Sequence, residues 1–446
     1  MNGIFTRIVL LGGLWSAVVA SVTAQSYTFT TIAGLGGVGG TADGTNGAAR
    51  FYRPAGLDVD GAGNIYVADL LNHTIRKIAP AGTNWVVSTL AGMAAMNGFA
   101  DGTNNQARFD HPSAVAVDKA GNLFVTDNYN QTIRKLTLVA TNWVVSTVAG
   151  LALAKGSDDG TNSQARFNGP EAISVDSSGT LYVTDRNNCT IREVRPIGTN
   201  WVVSTLAGTP PDLYGGFVDG LNGNAEFNLP FGISRHSGGN LYVTDFGNNA
   251  IRRISPEGLD WRTVTVAGFS GNTGANDGPA SQAMFNSPNG IAVDATETLY
   301  VTDQFNYTIR KIEPAGNSWV VSTVGGLVFA AGTNDGVGAN ARFFRPWGIA
   351  VDGARNLFLS DEFNNTIRKG MPPMASSPTL QILLAANQVV LSWSITASNS
   401  VLETTQTLGT EASWVALTNG LALAGDSYFL TNAVGSGPAF FRLRSQ

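Results

Sequence analysis

One short pattern recurs six times along this chain and limits the folds that the chain can adopt. The pattern is a β-prone run that ends in Asp, with Asn three residues later. Successive aspartates are 58, 58, 60, 58 and 58 residues apart, at Asp69, Asp127, Asp185, Asp245, Asp303 and Asp361. Such a constant period is typical of a repeat protein, so the repeats must be counted before the 446 residues are divided into domains.

Each repeat predicts a small antiparallel sheet. In the fifth repeat, residues 290–311 contain three short runs rich in Ile, Val, Tyr and Thr, separated by turns that carry Asp, Asn or Gly. A fourth run follows from Trp319, and matching runs begin at Tyr27, Trp85, Trp143, Trp201 and Trp261. We therefore expect four strands per repeat and an all-β protein, which the 53 glycines and a charged fraction of only 13% also favour.

The order of the strands indicates how the array ends. The chain begins with an isolated fourth strand at residues 27–34, and the sixth unit, residues 347–369, lacks a fourth strand. An open array would leave both sheet edges unpaired. If the units close into a ring, residues 27–34 pair with residues 366–369 and complete the last sheet. We predict a six-bladed β-propeller over residues 27–370, with the glycine-led strand of each blade innermost.

The predicted blades have one thick face. Each repeat is longer than the roughly 40 to 45 residues of a compact propeller repeat. The extra residues lie between the Ala-Gly that ends one blade and the Ala-Arg-Phe that precedes the next, for example at residues 92–109. We expect these loops on the same side as the Asp-x-x-Asn turns, and we call that side the long-loop face. The opposite face is predicted to carry tight turns such as residues 60–64.

The termini and the charge balance bear on location and partners. Residues 1–24 have the apolar run and small-residue cleavage pattern of a secretory signal peptide, with an uncleaved anchor as the alternative. We expect a secreted or cell-envelope protein, monomeric and with no membrane span once the signal is removed. A net charge of −5 without basic runs argues against nucleic acid as a partner. The single cysteine, Cys189, excludes an intramolecular disulfide.

Two groups of residues carry a family resemblance. The segments Phe-x-x-Pro-x-Gly-Ile-Ala-Val-Asp, Gly-Asn-Leu-Tyr-Val-Thr-Asp and Asn-x-Thr-Ile-Arg-Lys-Ile resemble NHL repeats. The added Val-Ser-Thr-Val-Ala-Gly and Asp-Gly-Thr-Asn-x-x-Ala-Arg-Phe segments are similar to the long-repeat NHL propellers of bacterial secreted proteins and of the teneurin NHL module. The resemblance implies a propeller fold over residues 27–370. It leaves activity open, because NHL-type propellers include protein-binding modules, receptor ectodomains and a few lyases.

The pattern changes after the last repeat. Residues 371–378 are rich in Pro, Ala and Ser, which predicts a short linker. Residues 379–446 contain six to seven short strand candidates. This second region resembles a small β-sandwich of the immunoglobulin or fibronectin-III type.

Comparison of the six repeats distinguishes structural residues from candidate site residues. A residue present in all six blades is expected to serve the blade, whereas a site for one ligand must break the symmetry. Asp303, Asn306 and Arg310 recur in every blade and are therefore interpreted as structural. The recurring Asp-Gly-Thr-Asn lacks the terminal Glu of a calcium loop, so an Asx-type turn is favoured there over a metal site. We expect no bound metal and no cofactor.

The positions that do break the symmetry predict a binding surface on the long-loop face. They lie just before the innermost strands and in the Asp-x-x-Asn turns, and they are rich in aromatic and Arg side chains. Such side chains suit a protein or glycan ligand, because rings supply contact area and partners for cations. The candidate binding residues are Tyr52, Arg53, Tyr129, Arg186, Phe231, Phe246, Phe305, Tyr307, Phe344, Arg345, Trp347 and Phe363.

An enzymatic alternative remains at the channel mouth. A lyase with a histidine-bound metal would need three converging histidines, and this chain has only His73, His111 and His236, the last expected on the opposite face. A metal-dependent lactonase resembling the gluconolactonase group would instead use Glu171 and Asn289, with Ser113 nearby. The residues favour a non-catalytic binding or scaffold protein, with a metal-dependent lactonase or lyase as the alternative.

Overall fold

The computed structural model describes residues 26–210, 215–373, 381–385, 388–394, 400–405, 413, 415–417, 421–424, 427–433 and 440–445. The predicted signal peptide and residues 374–378 of the predicted linker lie outside these residues. The described residues form strands, turns and short 3₁₀ helices. None of the helices in this part of the chain has the length and apolar character of a membrane span.

Six antiparallel sheets form the blades of a propeller, which confirms the predicted fold class. In each blade the first three strands follow chain order from the channel outward. The innermost strands are Pro54–Val59, Pro112–Val117, Pro170–Val175, Pro230–Arg235, Pro288–Val293 and Pro346–Val351. The second strands are Ile65–Asp69, Leu123–Asp127, Leu181–Asp185, Leu241–Asp245, Leu299–Asp303 and Leu357–Asp361. The third strands are Thr74–Ala81, Thr132–Val139, Thr190–Ile197, Ala250–Glu257, Thr308–Ala315 and Thr366–Met371.

The fourth strand of the last blade comes from the start of the propeller, as predicted. The fourth strands of blades one to five are Asn84–Gly92, Asn142–Gly150, Asn200–Ala207, Asp260–Gly268 and Ser318–Gly325. In blade six the place is taken by Thr28–Gly34, which pairs antiparallel with Thr366–Met371 from Thr28 opposite Met371 to Gly34 opposite Thr366. The ring is therefore closed by the two ends of the propeller, and both edges are paired.

Each blade has a fifth strand that the sequence analysis did not predict. These two-residue strands lie outside the fourth strands, at Gly44–Thr45, Gly102–Thr103, Gly160–Thr161, Gly220–Leu221, Gly278–Pro279 and Gly336–Val337. The recurring Asp-Gly-Thr-Asn element builds them. In blade one, Asp43 accepts bonds from Arg76 and from the backbone and hydroxyl of Thr89, and Asn46 accepts a bond from the Trp85 amide. The element thus fastens each long loop to the outer strand and is more than the local turn expected.

Short 3₁₀ helices complete the long-loop face. Five follow the fifth strands, at Asn46–Ala48, Asn104–Gln106, Asn162–Gln164, Asn222–Asn224 and Gly338–Asn340. Four follow the second strands, at Leu70–Asn72, Arg186–Asn188, Phe246–Asn248 and Glu362–Asn364. On the opposite face the turns are tight, as in the Gly63 amide bonded to the Asp60 carbonyl oxygen.

The recurring Asp, Asn and Arg form one buried network per blade. In blade five the Asp303 carboxylate accepts bonds from Asn306 Nδ2 and Arg310 Nη1, both at 2.7 Å, and from the Asn286 amide at 2.8 Å. Arg310 is fully buried and also bonds to Asp277 at 2.8 Å. These bonds satisfy a buried charge pair that would otherwise cost several kcal/mol, and they account for the residues as scaffold.

The innermost strands pack closely around the central channel. A Cβ at Gly232 would lie 2.4 Å from the Asn289 carbonyl oxygen, so this contact requires glycine. A hydroxyl on the second strand then bonds the next blade, as Thr302 Oγ1 does to the Trp347 carbonyl at 2.6 Å. Thr126, Thr184, Thr244 and Ser360 make the equivalent bonds in other blades. Blade one has Ala68 at this position and lacks the bond.

The chain divides into two compact units between Met371 and Pro372. In the second unit, seven described strands form two antiparallel sheets. One contains Gln381–Ala385, Gln388–Ser394, Ser427–Ala433 and Leu421–Ala424, and the other contains Val415–Ala416, Ser400–Thr405 and Phe440–Ser445. The small β-sandwich remains a prediction.

Candidate functional site

The long-loop end of the central channel is where the six blades differ most. The residue after the first proline of each innermost strand faces this end, and the six are Ala55, Ser113, Glu171, Phe231, Asn289 and Trp347. All but Ala55 line a cavity of about 60 Å³. That volume holds one or two water molecules and is far below the roughly 300–1,000 Å³ of a typical small-molecule pocket. This cavity is therefore too small to enclose a drug-sized ligand, for which the channel mouth is the accessible surface.

Glu171 is a buried carboxyl at this mouth. It is 4% exposed, accepts a bond from Asn128 Nδ2 at 3.1 Å, and lies 3.8 Å from Arg186 Nη1. Burial raises the pKa of Glu171 from 4.5 to about 7, although Arg186 and Asn128 oppose the shift. Near neutral pH the carboxyl is thus divided between a proton-donating and a proton-accepting form.

A second buried carboxyl, Glu362, lies on the blade-six side of the mouth. Its carboxylate is 3.5 Å from Arg53 Nε and 3.4 Å from Gln304 Nε2. Burial raises the pKa of Glu362 to about 7, against the lowering effect of Arg53 and Arg345, and the negative charge of Glu171 raises it further. The two carboxyls therefore interact electrostatically across the channel mouth.

Aromatic and Arg side chains form a continuous surface beside these carboxyls. Phe231 stacks on Phe246 with ring centroids 4.6 Å apart, and Phe246 contacts Phe305 at 6.4 Å. The Arg345 guanidinium lies 4.7 Å from the centroids of both Phe305 and Phe363. We call this surface the aromatic arc, and its ten members are Arg53, Arg186, Phe231, Phe246, Phe305, Tyr307, Phe344, Arg345, Trp347 and Phe363.

Three polar atoms at the mouth have no partner in the structure. Asn289 is 2% exposed, and its Nδ2 makes no hydrogen bond. The Nε atoms of Arg186 and Arg345 are likewise buried and unpaired. A buried donor without a partner costs about 1–3 kcal/mol, so these groups suit a ligand that carries acceptor oxygens.

Ten of the twelve predicted binding residues come together in the aromatic arc. The other two, Tyr52 and Tyr129, lie outside it, with side chains that are 48% and 57% exposed. Glu171 and Asn289, the residues of the enzymatic alternative, both line the cavity. In the described part of the chain, however, Glu171 belongs to no group of three His, Cys, Asp or Glu side chains with metal-ligand spacing.

Comparison with known proteins identifies the repeat. The NHL repeat profile matches residues 51–78, which cover the first three strands of blade one, and the teneurin NHL domain profile matches residues 93–195. The matched segments of the propeller resemble NHL repeats.

Several curated proteins match this chain. Protein SUPPRESSOR OF QUENCHING 1, chloroplastic, of Arabidopsis thaliana is 27% identical over 71% of this chain and 30% of its own length. NHL repeat-containing protein 2 of Gallus gallus is 27% identical over 63% of this chain and 41% of its own, and teneurin-3 of Danio rerio is 30% identical over 46% and 8%. The chain thus spans less than half of the length of each of these relatives.

Solved structures show the same fold. A protein of unknown function from Bacteroides thetaiotaomicron superimposes with a TM-score of 0.59 at 21% identity, covering 78% of this chain and 76% of the other. An auxiliary nutrient binding protein from the same organism superimposes with a TM-score of 0.58 at 18% identity, covering 79% and 78%. At such identities the likeness concerns the fold alone.

Two features of this propeller were not predicted from the sequence. Gln304, which bonds Glu362, follows the recurring Asp303, and its place in the turn gives no sign of this contact. The structure also brings His73 together with Asp110 and His111, which are far from it in the sequence. The sequence spacing could have indicated this contact. His73 and His111 are 38 residues apart, and residues 38 apart also meet between other neighbouring blades, as Gln131 and Gly169 do.

Proposed function

We propose that this protein is an exported, non-catalytic binding or scaffold protein that recognises a protein or glycan through the aromatic arc on its long-loop face. The observation that carries the proposal is the arc itself. Ten aromatic and Arg side chains from blade one and blades three to six contact one another on an otherwise repetitive ring, and they adjoin two buried carboxyls and an unpartnered Asn289 amide.

The chemistry of the arc supports a ligand with both flat apolar and hydroxyl or amide surfaces. The half-buried rings are held against each other and against guanidinium groups, so little side-chain entropy is lost on binding. Glu171, Glu362 and Asn289 supply donors and acceptors at the centre. The small channel cavity favours recognition at the surface over enclosure of a small substrate.

Export is part of the proposal and rests on the signal-like residues 1–24. A binding role agrees with the auxiliary nutrient binding protein of the same fold, although that likeness alone assigns no ligand. The N-terminal sequence of protein recovered outside the cytoplasm tests this part. Cleavage after Ala24 is expected, and retention of Met1 in a cytoplasmic pool would contradict it.

The binding experiment uses the purified protein against arrays of glycans and of exported proteins. Trp347→Ala and Phe305→Ala each remove an arc ring, and Leu259→Ala is the control because Leu259 is fully exposed on a third-to-fourth-strand hairpin. Array signals should fall for the two arc variants and persist for the control. Signals that are unchanged in both arc variants would place the binding surface elsewhere.

The enzymatic alternative is a metal-dependent lactonase or lyase at the channel mouth. The near-neutral pKa of Glu171 is the observation in its favour, because a general acid or base works best near the ambient pH. Turnover of a lactone panel by the metal-loaded protein, lost in Glu171→Gln, would support the enzyme. Absence of turnover with intact array binding would support the binding protein.

A further inference from the structure

A compact group of metal-ligating side chains lies between blades one and two, outside the aromatic arc. His73 is in the turn after the second strand of blade one, and Asp110 and His111 precede the innermost strand of blade two. One ligand atom from each lies within 4.8 Å of the other two. Asp110 Oδ1 is 3.8 Å from His73 Nδ1 and 2.7 Å from His111 Nδ1.

The other five junctions show what the blade itself requires at this place. After blades two, four and six, the side-chain oxygens of Gln131, Asn249 and Asn365 accept the backbone amide of the next blade. His73 Nδ1 accepts the equivalent amide, that of His111, at 3.2 Å. Three of the five other junctions thus have one side-chain acceptor here, and this role explains neither a second imidazole nor a carboxylate beside it.

No other junction repeats the three side chains. The residues equivalent to Asp110 are Tyr52, Asn168, Asn228, Asn286 and Phe344, and those equivalent to His111 are Arg53, Gly169, Leu229, Ser287 and Arg345. The remaining equivalents of His73 are Cys189 and Tyr307. Two imidazoles and one carboxylate therefore meet only between blades one and two.

The spacing fits a small divalent cation. With Zn–N and Zn–O bonds of about 2.0–2.2 Å, ligand atoms in a tetrahedral site lie about 3.4 Å apart. The separations of 2.7 and 3.8 Å bracket this value, so small side-chain rotations would suffice. Binding through the two Nδ1 atoms would replace the His111–Asp110 bond and the amide bond to His73. The proton on each neutral imidazole would then reside on Nε2.

Neighbouring groups hold the ligands while leaving access from solvent. Asn97 Nδ2 donates to the second oxygen of Asp110 at 2.9 Å, and the Tyr129 ring stacks on His111 with centroids 4.0 Å apart. Such supporting contacts commonly orient metal ligands. The side chains of His73, Asp110 and His111 are 12%, 15% and 24% exposed, so an ion can enter and a water can complete its coordination.

We propose that His73, Asp110 and His111 form a binding site for a divalent transition-metal ion of the zinc class. Two neutral imidazoles and a carboxylate are ligands that this class prefers over calcium or magnesium, which favour all-oxygen sites. The site is independent of the aromatic arc, and it assigns a role to Tyr129 as the ring that supports His111.

The test is titration of the chelator-treated full-length protein with ZnCl₂ by calorimetry. The triple variant is His73→Asn/Asp110→Asn/His111→Ser. Its new side chains match Asn249, Asn286 and Ser287 at the junction of blades four and five, so an acceptor for the backbone amide is kept. The control His236→Asn removes the remaining histidine. We expect one zinc ion per chain for the wild type and the control, and at least about tenfold weaker binding for the triple variant.

Substitution with Co²⁺ gives a second measurement. The wild type should develop a visible ligand-field absorption band that the triple variant lacks, while circular dichroism and Tm of the two metal-free proteins agree. Absence of one-to-one zinc binding by the wild type would overturn the proposal. Equal zinc affinity and equal Co²⁺ spectra in the wild type and triple variant would overturn it as well.

Discussion

The ring of Phe29 occupies the space that a side chain at position 370 would need. A Cβ at Gly370 would lie 2.6 Å from the Phe29 ring, and one at Gly325 would lie 2.2 Å from it. The other blades have Val, Leu or Ile where Gly370 stands, and Ala where Gly325 stands. The closing strand therefore carries one large residue matched to two small ones, Gly370 in blade six and Gly325 in blade five.

This complementarity predicts that Gly370→Ile destabilises the propeller, although Ile is the residue of blades one, four and five. Overpacking of a filled core costs about 1–3 kcal/mol. Phe29→Val in the same chain should recover part of the loss, because Val87 stands at the equivalent position of blade one. Urea denaturation of the two single variants and the double variant measures the coupling. Strictly additive effects would contradict the proposed fit.

A second prediction concerns the hydroxyl that joins neighbouring blades. Thr302→Ala removes the donor to the buried Trp347 carbonyl and the acceptor of the Gly290 amide, and should lower the free energy of unfolding by about 1–3 kcal/mol. Thr302→Ser keeps the hydroxyl, as Ser360 does in blade six, and should cost less than the Ala variant. Equal losses in the two variants would show that the methyl group and not the bond matters.

The raised pKa of Glu362 predicts a pH dependence of stability. Its folded-state pKa of about 7 lies above the ordinary value of 4.5, so the protonated folded state is favoured. This stabilisation is fully present below about pH 4.5 and is lost as the pH rises through 7. The wild type should therefore lose on the order of 2 kcal/mol more between pH 5 and pH 8 than Glu362→Gln does. Denaturation curves at both pH values check this, and parallel pH profiles would contradict it.

Substitution of Asn289 is expected to weaken ligand binding with little effect on stability. Its Nδ2 has no partner, so Asn289→Ala removes no hydrogen bond from that atom and should change the unfolding free energy by less than about 1 kcal/mol. Binding of a ligand found on the arrays should nevertheless weaken, because the free donor is lost. Thermal denaturation and titration of the same preparation give both quantities. A large loss of stability with unchanged affinity would make Asn289 a structural residue.

The fold was predictable because the six repeats of this one sequence can be aligned with one another. The offset between the strand at residues 27–34 and the unfinished sixth blade was sufficient to predict ring closure. The fit of Phe29 to Gly370 was not, because it depends on which side chains meet across paired strands. The fifth strands were missed for a similar reason, since the bond that Thr89 donates to Asp43 joins residues 46 apart.

For the candidate site, the sequence predicted which residues take part and did not predict how they contact one another. Departures from the repeat located the residues of the aromatic arc, but not their contacts. The stacking of Phe231 on Phe246 and the bond from Gln304 to Glu362 depend on side-chain direction at the channel mouth. The meeting of His73 with Asp110 likewise needed the spatial relation of two blades.

The central claim is that the aromatic arc binds a protein or glycan ligand. The most direct measurement is the Kd of the strongest ligand from the arrays for the wild type, Trp347→Ala and Leu259→Ala. Loss of an anchor ring from a binding surface should raise the Kd by at least about tenfold, or about 1.4 kcal/mol, for Trp347→Ala and leave it unchanged for Leu259→Ala. Equal Kd values for the wild type and Trp347→Ala, with both proteins folded, would contradict the account.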